Sequence, residues 1–189
     1  MLPFEFLALA ISVIMGLAIT RLVSGIGLSI RQIRSKKHYW IHSLWIFNIL
    51  VFLTGLWWGL FKWSTKEDWA FSNFIFLIIY CIIIYLLTDF LVPLKSNSNF
   101  DPKKYFLDNR KFFFGILFLT IIMDIVETYL LEMEGLRTVP TLFPFIFIPL
   151  SILALGGFLS KNIKINSAIA VLWSILILAY LFNGLISLK

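Results

Sequence analysis

Four ionisable side chains lie inside stretches of sequence that are otherwise apolar: Arg21, Asp89, Asp124 and Glu127. A charge surrounded by hydrocarbon costs several kilocalories per mole unless another charge or water meets it, so such residues usually belong to a functional site. Acidic side chains at this depth can line a path for a cation or a proton. The sequence therefore predicts a buried charge network of these four residues, with Asn48 as a further polar partner.

Polar residues recur every four positions through the segment that contains Asp124, namely Thr120, Asp124, Thr128 and Glu132. A polar stripe of this kind on a helix must face protein or water, because lipid cannot satisfy it. Two interpretations stay open. Either the stripe and Glu127 line a cation or proton path, or Arg21 neutralises Asp89 or Asp124 and locks the helices together.

Small residues recur every four positions in the first apolar segment, namely Ser12, Gly16, Thr20 and Ser24. Small side chains at this spacing let a second helix approach closely. The spacing therefore predicts a helix-packing face, used either against a neighbouring helix of the same chain or between subunits.

The fifth apolar segment contains Pro149 and the pair Gly156-Gly157. Proline cannot donate a backbone hydrogen bond to the carbonyl four residues earlier, and glycine adds conformational freedom. We therefore predict a hinge in this segment, seen as a kink or as a partly unwound turn. Membrane proteins tolerate such a turn only against protein or water.

The chain that carries these residues is far more apolar than a soluble domain. Of its 189 residues, 60% are hydrophobic and 14% are charged, whereas a soluble domain is nearer half apolar and a quarter charged. A helix needs about 20 apolar residues to cross a membrane. Six segments qualify: 4–30, 39–62, 69–94, 112–134, 141–160 and 165–187. We predict an all-α bundle of six transmembrane helices with no soluble domain.

Lysine and arginine are distributed unevenly between the two sides of the predicted bundle. The first, third and fifth loops carry Arg31, Arg34, Lys36, Lys37, Lys95, Lys103, Lys104, Arg110, Lys111, Lys161 and Lys164. The other side carries only Lys62, Lys66, Arg137 and Lys189. The positive-inside rule then places the odd loops in the cytoplasm and both termini outside. The basic loops are predicted to bind anionic lipid headgroups, and no folded basic surface is predicted for nucleic acid.

Signatures of catalysis and of metal binding are absent from the sequence. There is no P-loop, HExxH or GxSxG motif, and a single cysteine cannot build a disulfide framework or a thiolate cage. His38 and His42 are four residues apart, but no third ligand lies near them, so we interpret both as solvated interface histidines. We predict neither an enzyme nor a metal or cofactor site.

Short aromatic and polar motifs occur through the first two-thirds of the chain. They are Phe4-Glu5-Phe6, Gly16-Leu17-Ala18-Ile19-Thr20, Tyr39-Trp40-Ile41-His42, Trp57-Trp58, Phe61-Lys62-Trp63 and Asn109-Arg110-Lys111-Phe112-Phe113. On these motifs the chain resembles a group of small bacterial multi-pass inner-membrane proteins that has no assigned activity. The resemblance implies location in a bacterial inner membrane and implies no activity, ligand or catalytic residue.

Two hypotheses about function follow. The preferred one is a small channel or transport subunit for an ion, a proton or a small solute, because acidic residues lie at membrane depth. Bulky Phe, Leu and Trp side chains leave little room for a pore in one protomer, so we expect a homo-oligomer or assembly with other membrane subunits. The alternative is a non-conducting scaffold or sensor subunit of a larger complex, such as a bacterial defence module, in which the polar layer is structural.

Overall fold

Six α-helices account for most of the chain in the computed structural model, which describes residues 3–34, 38–94 and 100–186, with the side chains of 183–186 left aside. They are α1 (Pro3–Arg34), α2 (Trp40–Leu60), α3 (Phe71–Leu91), α4 (Pro102–Met133), α5 (Phe143–Leu159) and α6 (Ile163–Ile186). A short 3₁₀ helix, Phe61–Thr65, continues α2. The predicted all-α, six-helix architecture is confirmed, with no strand and no soluble domain in the described ranges. Lys36, Lys37, Lys95 and Lys189 of the predicted loops lie outside them.

Five of the six helices are long and apolar enough to cross a membrane, so the fold is that of a multi-pass membrane protein. α5 is equally apolar but has only 17 residues. At the α-helical rise its length is about 26 Å, a few ångströms less than the roughly 30 Å hydrocarbon core. α5 is therefore at the lower limit of a membrane-spanning helix.

The helices form a ring that α2 closes. α1 packs against α3, α3 against α4, α4 against α5 and α5 against α6. α2 lies between α6 and α1 and also contacts α3 and α4. We call the end with the α1–α2, α3–α4 and α5–α6 connections the basic end and the other the opposite end.

Aromatic side chains fill the centre of the bundle in its basic half. The ring of Trp45 lies 5.1 Å from that of Phe113, 5.3 Å from that of Phe114 and 5.6 Å from that of Trp173, measured between centroids. All four side chains are fully buried. Aromatic pairs of this kind contribute about 0.5–1.5 kcal/mol each beyond their buried area. This aromatic layer holds α2, α4 and α6 together and closes the centre of the bundle.

α4 begins at Pro102, whereas the sequence analysis placed its start at 112. The carboxylate of Asp101 accepts hydrogen bonds from the backbone N–H groups of Lys103 at 2.9 Å and Lys104 at 3.1 Å. An aspartate N-cap followed by proline at the first helical position is a strong start signal. The predicted boundary is wrong because this signal lies outside the apolar segment that was used to find the helix.

Arg110 is buried, although the sequence analysis counted it among the exposed loop cations. Its guanidinium donates hydrogen bonds to the backbone carbonyl of Gly157, at 2.8 Å, and to that of Ser160. The amide of Asn166 also donates to the Ser160 carbonyl, at 3.0 Å. The last carbonyls of a helix have no partner within it, so these side chains complete the end of α5. Arg110 is therefore not available to a lipid headgroup.

The predicted packing face of α1 is not used inside the chain. Ser12, Thr20 and Ser24 are exposed, and a Cβ atom placed on Gly16 would meet nothing within 4 Å. α1 instead turns another set of apolar residues toward its neighbours, mostly large ones, namely Leu7, Ile11, Met15, Ala18 and Leu22. These side chains bury more surface against the neighbouring helices than a stripe of small residues would. Packing between subunits through this face stays a prediction.

α5 is a continuous helix through Pro149, so the partly unwound turn, one of the two predicted forms, is wrong, and the kink stays a prediction. Packing against α4 on one side and α6 on the other holds the helix together despite the missing hydrogen bond. Gly157 serves close packing, since a Cβ atom there would lie 2.3 Å from a ring atom of Phe114. A Cβ on Gly156 would lie 3.6 Å from Ile169, an ordinary contact. A hinge role for Pro149, Gly156 and Gly157 stays a prediction.

Gly157→Ala is expected to lower the free energy of unfolding by about 1–3 kcal/mol, because the added methyl group overpacks the contact with Phe114. Gly156→Ala is the matched control, since it carries the same intrinsic gain in helix propensity without the clash. Thermal unfolding of both variants in detergent compares them. Equal melting temperatures would contradict this account of the α4–α5 contact.

Candidate functional site: an acid cavity behind an open cleft

The five residues predicted to form one network occupy three separate places. Arg21 and Asp89 form an ion pair, Asn48 bonds to α6, and Asp124 and Glu127 lie together on α4. Asp89 is in the last turn of α3 at the basic end, whereas Glu127 is in the last two turns of α4 at the opposite end. The prediction of one network is therefore wrong, because these helix positions are too far apart along the bundle.

The Arg21–Asp89 pair joins α1 to α3 on the flank of the bundle. Their side chains are 14% and 32% exposed, so the pair is only partly shielded by protein. The sequence left Asp89 and Asp124 as possible partners of Arg21, and the partner in the structure is Asp89. The pair neutralises two charges that an apolar surrounding would otherwise penalise, and neither residue lines either of the two cavities found among the described residues.

Asn48 is a packing residue between α2 and α6. Its amide nitrogen donates a hydrogen bond to the Ala170 carbonyl at 3.1 Å, and its amide oxygen accepts one from the Ser174 hydroxyl at 2.7 Å. The side chain is 1% exposed. Polar pairs of this kind hold neighbouring membrane helices together, so Asn48 is satisfied without Arg21.

Asp124 and Glu127 face the interior about one turn apart on α4. The hydroxyl of Tyr80 donates a hydrogen bond to Asp124 Oδ1 at 2.9 Å, and the indole N–H of Trp63 donates one to Glu127 Oε1 at 2.9 Å. Tyr80 and Trp63 are fully buried. Neither carboxylate forms an ion pair with a described residue, so the side chain that bonds directly to each is a neutral donor.

A cavity of about 40 Å³ lies against both carboxylates, and we call it the acid cavity. The guanidinium of Arg137 and the hydroxyl of Tyr180 line it and hydrogen-bond to each other at 3.3 Å. Arg137 also interacts electrostatically with Asp124 and Glu127 across the cavity. A polar cavity holds a water molecule once it offers roughly 10–15 Å³ to a water-sized probe. This one has room for water or a small cation.

A cleft of about 1560 Å³ opens at the same end of the bundle, along the exposed face of α2 between α1 and α6. Five residues line both the cleft and the acid cavity, namely Gly55, Gly59, Arg137, Tyr180 and Leu181. A Cβ atom on Gly59 would meet nothing within 4 Å, so the space beside this glycine is open. The acid cavity therefore lies directly behind the inner wall of the cleft.

A polar clasp ties the segment after α2, which carries Trp63, to α3 and to the end of α4. The ammonium of Lys66 pairs with the carboxylate of Glu134, and the amide of Asn73 donates to the same carboxylate at 2.9 Å. These hydrogen bonds, that of Lys66 above all, lower the pKa of Glu134 below its ordinary value. The clasp fixes the 3₁₀ helix relative to α3 and α4. It thereby also fixes the position of Trp63, which belongs to that helix.

Asp124 and Glu127 stand out in the sequence by their apolar surroundings, but their partners do not. Trp63 and Tyr80 are two aromatic residues among many, and Arg137 served only as a marker of orientation. The sequence signal that could identify them is a similar depth in the membrane, because a tryptophan or tyrosine at the level of a buried acid can turn its polar atom toward that acid. Of the polar stripe, Thr120 and Thr128 are buried and Glu132 is exposed.

His42 is buried rather than solvated, which corrects the sequence interpretation. It is 1% exposed, and its Nε2 atom is 2.7 Å from the Leu91 carbonyl at the end of α3. His38 is exposed and hydrogen-bonds to Ser43. The start of α2 packs under α3 and α4, which the spacing of the histidines does not reveal. Within the described ranges no cluster of His, Cys, Asp and Glu could hold a metal ion.

The acid cavity joins two carboxylates, a guanidinium and the phenol of Tyr180, and the phenol of Tyr80 is bonded to one of the carboxylates; the cavity adjoins the cleft at one end of the bundle. Such a set can bind and release a proton or a small cation, and the cleft supplies water for the exchange. Comparison with known protein families, curated proteins and solved structures finds no match for this chain.

Neutralising one member of the Arg21–Asp89 pair should lower the stability of the fold more than neutralising both members. Arg21→Gln and Asp89→Asn are each expected to cost about 1–3 kcal/mol of stability, because each leaves one charge without its partner. The double variant should recover part of that loss. Unfolding in detergent measures all three, with Asp108→Asn, an exposed position on α4, as the control. Additive losses in the double variant would contradict a direct pair.

The clasp should make stability depend on pH in the acid range. Because the pKa of Glu134 is lower in the folded protein than its ordinary value of 4.5, the clasp stabilises the fold at higher pH, and the contribution is lost as pH falls through the folded value. The melting temperature of Glu134→Gln should be below that of the wild type near neutral pH and converge with it in acid. Glu67→Gln, at an exposed loop position, is the control. A gap that widens in acid would contradict the clasp.

Proposed function

We propose that this protein is a small membrane transport subunit that binds a proton or a small cation between Asp124 and Glu127. One observation supports it above the others. Two interior carboxylates, neither in an ion pair with a described residue, line a water-sized cavity that shares a wall with an open cleft. A carboxylate whose only direct partner is neutral can exchange a proton or a cation without breaking an ion pair.

The direction of access follows from charge. The positive-inside rule places the basic end in the cytoplasm, which turns the cleft and the acid cavity toward the outside. In a bacterial inner membrane, the setting that the sequence resemblance implies, the cleft then opens to the periplasm. Loading of the site from that side is the first step of the proposed transport.

Transfer to the other side requires a second arrangement of the helices. The aromatic layer around Trp45 closes the centre of the bundle in the basic half. A continuously open pore through one protomer is not compatible with that layer. We therefore favour exchange between two states over a static channel, with subunits meeting at the exposed face of α1 that carries Gly16.

A second candidate function is a non-conducting scaffold or sensor subunit. Each interior carboxylate accepts a hydrogen bond from a fully buried donor of another segment, Tyr80 of α3 and Trp63 of the 3₁₀ helix. Such bonds can serve only to fasten α4 to its neighbours. In that case the acids stabilise the fold, and function resides in the surfaces that meet partner proteins.

Flux through proteoliposomes separates these candidates. We expect Asp124→Asn and Glu127→Gln to reduce proton or monovalent-cation flux to near the level of empty vesicles, because an amide cannot exchange a proton and carries no charge. A pH-sensitive dye and a cation-sensitive dye inside the vesicles report the two currents. The exposed-site variant Asp108→Asn should retain flux.

A steric variant tests the same route without altering charge. A Cβ atom at Gly59 meets nothing within 4 Å, and Gly59 lines both the cleft and the acid cavity. We therefore expect a leucine side chain there to fill the opening between them, so Gly59→Leu should also stop flux while melting normally. Gly27→Leu is its control, because a Cβ there approaches only the tip of Arg31, at 3.6 Å, near the basic end. Wild-type protein without flux under any gradient, together with a partner that co-purifies in fixed ratio, would favour the scaffold instead.

A further inference from the structure

The cleft has two cations and otherwise largely apolar walls, a combination that proton or cation binding does not need. Lys62 and Arg137 line it at the opposite end of the bundle. Deeper along α2 the lining is apolar, including Ile11 of α1, Leu50 and Val51 of α2 and Leu181 of α6. The cleft therefore offers positive charge at one end and hydrocarbon contact along its length.

Lys62 is a half-buried cation that has no ion-pair partner among the described residues. The other lysine of this segment, Lys66, is paired with Glu134. Arg137 on the facing loop hydrogen-bonds to Tyr180 and lies in the field of Asp124 and Glu127. A cation removed from bulk water favours an anionic partner. Among the three cations Lys62, Lys66 and Arg137, only Lys62 has no described carboxylate paired with it or acting on it.

The size and position of the cleft match a lipid better than a small polar solute. Its volume of about 1560 Å³ is larger than the roughly 300–1,000 Å³ of most small-molecule pockets. It runs along the face of α2 that α1 and α6 leave uncovered, and Trp57 and Trp58 beside it are 40% and 63% exposed. Exposed tryptophans of membrane helices sit at the level of lipid headgroups.

We propose that the cleft binds an anionic phospholipid of the surrounding bilayer. The headgroup phosphate lies at Lys62 and Arg137, and an acyl chain lies along α2 between α1 and α6. This site is at the opposite end from the basic loops, whose attraction for anionic lipids the sequence already predicts. It does not depend on proton or cation transport, and it holds equally for the scaffold alternative.

Photo-crosslinking in nanodiscs tests the proposal. The probes are phosphatidylglycerol and phosphatidylcholine with the same diazirine-bearing acyl chain, and peptide mass spectrometry locates the label. We expect phosphatidylglycerol to label the α2 region around Leu50–Trp58 more strongly than phosphatidylcholine. Lys62→Gln should lower that labelling about fivefold, the effect of one cation near a membrane surface. Lys62→Arg should preserve the labelling, which separates charge from folding.

Controls assign the signal to the cleft. Lys111→Gln, on an exposed site of α4 at the basic end, should leave labelling of α2 unchanged, and Lys62→Gln should leave labelling at the basic end unchanged. Excess soluble glycerol phosphate should not displace the lipid label. Equal labelling of α2 by the two lipids, no response to Lys62→Gln, or displacement by glycerol phosphate would each overturn the proposal. All of these measurements are independent of flux through Asp124.

Discussion

Hydrocarbon offers no hydrogen-bond partner, so a polar group of a membrane-embedded helix is costly unless it finds one inside the protein. This constraint accounts for the cross-links between the helices of the bundle. They are Arg21 with Asp89, Asn48 with Ser174, Tyr80 with Asp124, Trp63 with Glu127, and Arg110 with the end of α5. Each joins two different elements, so the same bonds that satisfy polar atoms also fix which helices are neighbours. The aromatic layer then fills the space that this arrangement leaves in the basic half.

The acid cavity differs from the other polar sites in two ways: it contains unfilled space, and its carboxylates form no ion pair with a described residue. At Asn48 and at Arg110 the partners meet directly and lie in no described cavity, whereas Asp124 and Glu127 border an open space next to the cleft. Arg137 lines both the cavity and the cleft. An anion bound in the cleft would therefore compete with the carboxylates of the cavity for one guanidinium. Occupancy of the cleft would then be linked to the charge in the cavity through the Arg137 side chain.

The number, type and order of helices could be predicted from the sequence because hydropathy over some 20 residues is a strong signal. Identifying Asp124 and Glu127 as unusual needed only their apolar surroundings. Which groups meet could not be predicted, since that depends on where each helix ends and how it is rotated. From the sequence, Arg21 could pair with either of two carboxylates, and only the position of Asp89 near the end of α3 determines which one. Likewise, the need for glycine at position 157 depends on the ring of Phe114, which packs against it. The burial of His42 could not be predicted, because the spacing of residues along one helix does not show which other helices pack on it.

α5 has a consequence for the membrane itself. With 17 residues it is the shortest of the six helices, and Arg110 and Asn166 satisfy its final carbonyls with protein rather than water. A hydrophobic stretch shorter than the bilayer is accommodated by a local deformation of the lipid, at a cost of a fraction of a kilocalorie per mole for each ångström of mismatch. Where α5 crosses the bilayer, we expect the acyl chains beside it to be compressed relative to those around the longer helices. One-sided thinning of this kind would favour contact between two copies, because two copies that share a thinned patch deform less lipid than two copies apart.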